Sequence, residues 1–139
     1  MSLEGLQSSL SSKQSEISAE RANLSNYQAK IAEIDAIYKT LKGQKKSMKE
    51  LKKDVKNFGE QKYSYWEGNV FKTKYQEKLE SQIIEGGYEV VIGEIDTNLD
   101  ALNTAKTEYE NKVLASQGLI GVLAAGINSL INAIENFVN

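Results

Sequence analysis

The chain has 139 residues, a formal net charge of −2, 26% charged and 40% hydrophobic residues, and no Pro, Cys or His. Without Cys there are no disulfides, thiolate nucleophiles or Cys-containing metal sites, and without His there is neither an imidazole ligand nor a Ser-His-Asp triad. The charge balance gives no global pull toward nucleic acid or anionic lipid, and the absence of Pro is compatible with long unbroken helices.

Met1 to Leu6 has no basic region followed by an apolar core, so Sec export is not expected. The first arm, about residues 2–57, is set by its period. Leu3, Leu10, Ile17, Leu24, Ile31 and Tyr38 fall seven apart, and Leu6, Tyr27, Ile34, Leu41, Met48 and Val55 fill the second core slot. Lys13 and Glu20 interrupt that slot as polar breaks. A sustained 3.5-residue repeat predicts a coiled-coil-like helix. Its early stretch is rich in Ser, a mediocre helix former, and is expected to fray when unpartnered.

Asn57-Phe58-Gly59 is expected to stop the arm, because Gly commonly follows the last periodic residue of a helix. The turn, about residues 58–68, includes a candidate capping box of Ser64 and Glu67. It also holds the chain's one Trp, in Trp66-Glu67-Gly68. On packing grounds alone, Trp66 would plug the end of a two-helix seam and Gly68 would give room for close backbone approach.

The second arm, about 69–138, begins with Phe71, Tyr75 and Leu79, followed by Ile83 and Ile84. Gly86-Gly87 predicts a kink, or else a break that makes a third helix, since each Gly costs a helix interior about 1 kcal/mol. From Tyr88 the register continues through Ile92, Ile95, Leu99, Leu102, Tyr109, Val113, Ile120, Leu123, Ile127, Leu130, Ile134 and Phe137.

A short connection makes the arms antiparallel. The expected architecture is therefore all-α, one helical-hairpin domain over residues 1–139. Eight lysines from Lys39 to Lys56 crowd the end of the first arm, and Glu77, Glu80, Glu85 and Glu89 sit on the second. A turn centred near residue 62 would put Lys49 opposite Glu77 and Lys42 near Glu85. The lysine run has no interleaved aromatics or Arg, so it reads as a solvated, acid-paired face and not as a nucleic-acid patch.

Residues Val113 to Ile134 carry no formal charge over 22 positions, enough to span a bilayer. Gln117, Gly121, Ala125, Asn128 and Asn132 nevertheless share one face, which favours a helix buried in a bundle or against a partner over a membrane span. Leu119, Val122, Ile131 and Val138 lie off the seam, and exposed apolar patches mark interfaces. The expected partner interface is Leu119, Ile120, Val122, Leu123, Ile127, Leu130, Ile131 and Ile134. Carboxylate pairs such as Asp96 with Asp100 and Glu108 with Glu110 read as solvated surface. No phosphate-binding glycine loop is visible, so no catalytic, metal or cofactor site is expected.

Two arms joined at Trp66-Glu67-Gly68 resemble the WXG superfamily of small helical type VII secretion proteins of Gram-positive bacteria. The opening Met1-Ser2-Leu3-Glu4, the Lys-rich close of the first arm, Tyr65-Trp66-Glu67-Gly68 and Gly118-Leu119-Ile120-Gly121 are similar to its YwqH-like branch. The similarity runs over essentially the whole chain, and Trp-x-Gly is its one sharp motif. It implies a non-enzymatic partner of the helical LXG domain of a secreted toxin, assisting export, with Trp66 and Gly68 as the turn or secretion motif. A second small helical partner, and a homo-dimer when unpartnered, fit the same picture. So does a cytoplasmic location before export, then a secreted or cell-surface one. The chain departs from the pattern in one respect. Its only Tyr-x-x-x-Asp/Glu match is Tyr63 with Glu67, inside the turn, so autonomous export is not implied. A membrane-active or self-assembling coiled-coil protein is the alternative.

Overall fold

The computed structural model describes residues 2–60, 74–75 and 77–139. Its elements are helix α1 (Leu3–Glu60), a π-helical segment (Leu79–Tyr88) and helix α2 (Glu89–Val138). Among the described residues there is no strand. The protein is all-α, with two helices packed antiparallel against each other. Trp66, Gly68 and the Ser64–Glu67 capping box lie outside the described residues.

α1 starts at a side-chain cap: Ser2 Oγ accepts a hydrogen bond from the Gly5 backbone N–H at 3.0 Å, and Glu4 complements the dipole in the first turn. The helix then follows its heptads closely. From Leu3 to Val55 every core-slot residue is buried or half-buried, including the polar Lys13, Glu20, Lys45 and Lys52; outside those slots only Gly5 and Ser9 are shielded. The expected stop at Asn57-Phe58-Gly59 is passed, and α1 runs on to Glu60.

Two compact units are present, one of residues 1–34 with 105–139 and one of residues 35–104. In the first, Leu6, Ile17, Ile34 and Leu123 are buried. Lys13 lies against Gly126, where an added Cβ would sit 3.3 Å from Lys13 Cδ. The Tyr27 and Tyr109 rings pack at 6.3 Å, with Lys112 Nζ 5.0 Å from the Tyr109 centroid and 5.8 Å from that of Tyr27. Phe137, expected in the seam, is 55% exposed because its slot falls level with the start of α1.

In the second unit, Leu79, Ile84, Ile95 and Leu99 are buried. Here Lys45 pairs with Asp96, and Lys52 with Glu89 at 3.1 Å. Seven residues forward on α1 are therefore seven back on α2. This corrects the expected register. Lys49 does not face Glu77, nor Lys42 Glu85, because α2 is engaged further along its sequence than a turn near residue 62 would bring it. These half-exposed ion pairs are worth only about 0.2–1 kcal/mol each, so they select register more than they add stability.

At Gly86-Gly87 the second arm leaves the regular α-helix. Both glycines lie in the π-helical segment, whose flanking residues Lys78 and Glu89 are α-helical in backbone. The Glu89 N–H donates to the Ile84 carbonyl, five residues back. The wider turn lets the buried face step from Leu79 to Ile84, which is only 2% exposed, and leaves Ile83 47% exposed. The seam thereby absorbs spacing that a heptad cannot. At Gly86 a Cβ would lie 3.0 Å from the Ser81 carbonyl oxygen, a tight contact with backbone.

Candidate interaction surfaces

The expected interface on α2 divides into two sets. Leu123 is 5% exposed and belongs to the hairpin's own seam. Ile120, Ile127, Leu130 and Ile134 are half-buried in the same seam. Leu119, Val122 and Ile131 do face outward, at 45%, 69% and 40% exposure. Leu114, not among the residues expected from the sequence, joins them at 66%; the available clue was that it follows the seam residue Val113.

Around these residues the outer face of α2 is small and uncharged. A Cβ added to Gly118 or Gly121 would meet nothing within 4 Å, and Gln117, Ala125, Asn128 and Asn132 are exposed. A neighbouring helix could approach this face closely at the glycines and rest on Leu114 and Val122.

Sequence reasoning also missed Ser116, the one buried polar residue among those described, at 3% exposure. It fills the seam slot between Val113 and Ile120. Its hydroxyl donates to Glu20 Oε1 at 2.6 Å, with the Glu20 carbonyl 3.4 Å away. The polar break at Glu20 is thus answered across the seam, as Gly126 answers Lys13. The clue was a lone Ser in a core slot opposite an acidic break, legible only once the register is known.

Among the described residues no group of acidic side chains could hold a metal ion. One window in the helical stretch Leu79–Val138 is long and apolar enough to cross a membrane by length and composition, and 11% of it is buried. No family model, curated protein or solved structure matches the chain.

Proposed function

We propose that this chain is a non-enzymatic partner protein that binds the helical LXG domain of a secreted toxin and assists its export by a type VII secretion system. The observation that carries the reading is the exposed apolar pair Leu114 and Val122 on the outer face of a helix with no formal charge from Val113 to Ile134. The seam is already filled by the chain's own side chains, so this pair is surplus to the hairpin. Leaving it in water forgoes about 25 cal/mol per Å² of apolar surface, which a third helix laid along it would recover. The resemblance at Trp66-Glu67-Gly68 supplies the identity of that helix. In this reading the protein is cytoplasmic until export.

The test is co-expression with an LXG domain followed by size-exclusion chromatography. A stable complex is expected, lost in Leu114→Asp/Val122→Asp while the circular dichroism spectrum and Tm of the free chain hold. Failure to co-purify, or indifference to the double substitution, rejects the proposal. The apolar window on α2 favours a membrane-active protein as the second reading. Liposome flotation separates the two, since a partner protein stays in the soluble fraction.

A further inference from the structure

α1 carries a row of exposed lysines along one flank. Lys45 and Lys52 occupy seam slots and are taken up by Asp96 and Glu89. Lys39, Lys42, Lys46, Lys49, Lys53 and Lys56 alternate at spacings of three and four, so they share one flank of the helix, and all six are exposed. Among the described residues none of the six has a carboxylate partner within ion-pair distance. Like charges three and four apart on a helix repel; Asp35, four before Lys39, and Glu50, four after Lys46 and three before Lys53, are placed to offset only part of that repulsion.

The row forms one wall of two shallow grooves where α1 meets α2, of about 540 and 450 Å³. Tyr38 and Leu99 line the first, and Ile92 and Gly93 the second. Space above Gly93 is open, with nothing within 4 Å of where a Cβ would stand. The opposite rim of the second groove carries Glu89 and Asp96.

Three kinds of polyanion differ in how they meet this shape. A nucleic acid would look for stacking aromatics and Arg forks, and the chain's one Arg is Arg21, outside this unit. A flat anionic bilayer would touch the lysine heads and leave the groove floor unused. An amphipathic helix fits both features: apolar residues on the floor and acidic residues along the lysine row. We propose that this groove on residues 35–104 binds an acidic amphipathic helix of a partner protein. The site is separate from the Leu114–Val122 face and does not depend on the toxin-partner reading.

The experiment titrates the full chain with four fluorescent probes. They are a synthetic helix with a leucine seam and a glutamate flank, its lysine-for-glutamate twin, phosphatidylserine-containing vesicles and a duplex DNA oligonucleotide. Saturable binding of the glutamate helix is expected, weakening as salt rises, with no binding of the lysine twin. Lys42→Gln/Lys49→Gln should weaken it about tenfold, the loss expected of two charge pairs. Gly93→Leu keeps every charge, is compatible with the helix, and fills the floor; it should weaken binding at least as much. Three results overturn the proposal: no saturable binding of the glutamate helix, unchanged binding in Gly93→Leu, or vesicles or DNA bound in preference to it. Circular dichroism of each variant identifies any that fails to fold, and Gly43→Leu, at the other groove, then stands in for Gly93→Leu.

Discussion

The Ser116 hydroxyl donates to Glu20 Oε1 at 2.6 Å, from two seam slots that apolar residues fill on either side. Sliding the helices by one heptad would set the Glu20 carboxylate against Leu123 or Tyr109 and leave Ser116 without its acceptor. A burial-driven seam of Leu and Ile tolerates several registers, and a matched polar pair removes most of them. The pair costs some stability relative to apolar residues and returns specificity, as a buried polar contact in a coiled coil does.

Ser116→Ala should therefore destabilise the protein by about 1–2 kcal/mol, since Glu20 keeps its partly buried carboxylate and loses its donor. Glu20→Leu combined with Ser116→Ala should be at least as stable as the parent. Denaturant melts of the four members of the cycle give the coupling energy directly. A neutral Ser116→Ala would mean that the pair is not made in solution.

The glycines separate by what a methyl group would meet. Gly118→Ala and Gly121→Ala enter open space in a continuous helix and should each raise stability, by up to about 1 kcal/mol. Gly86→Ala should lower it by about 1 kcal/mol or more, because its Cβ would press on the Ser81 backbone carbonyl, which cannot swing aside as a side chain can. Thermal melts decide. A Gly86→Ala variant stabilised like Gly121→Ala would show that the segment is an ordinary α-helix.

Val122 and Leu123 are adjacent in sequence and opposite in consequence, at 69% and 5% exposure. Leu123→Ala should cost about 2–4 kcal/mol, in line with other core truncations. Val122→Asp should leave the Tm within a degree or two and act on partner binding alone. If Val122→Asp destabilised as much as Leu123→Ala, α2 would have to be rotated about its axis relative to the structure described.

The heptads of α1 were legible because one-sided burial is written in residue type: Leu, Ile and Tyr recur where the helix meets its neighbour. The register was not, because apolar slots are interchangeable and a Leu opposite an Ile looks the same one heptad away. That information sits in Lys13, Glu20, Lys45 and Lys52, and it becomes readable only against Gly126, Ser116, Asp96 and Glu89. The π-helical segment was hidden for a related reason. Gly86-Gly87 advertises weak helix propensity, but the extra spacing between Leu79 and Tyr88 shows only when the seam on both sides is counted. For the outer face, Leu119, Val122 and Ile131 were readable as off-seam residues, whereas Leu123 satisfied both the seam and the patch and only packing could assign it.

The two ion pairs offer the sharpest test of register. Lys45→Glu should set like charges against each other beside a half-exposed seam, and Asp96→Lys should do the same in reverse. Each should cost about 0.5–1 kcal/mol, and the double exchange should restore most of the loss. The same logic applies to Lys52 and Glu89. Exchanging Lys49 with Glu77, the pair that a turn near residue 62 would create, should show no coupling. Repeating the melts near 1 M salt, where the Debye length is about 3 Å, should shrink the coupling at the true pairs. Coupling at Lys49 and Glu77 instead would shift α1 against α2 in this unit, and with them the groove beside the lysine row.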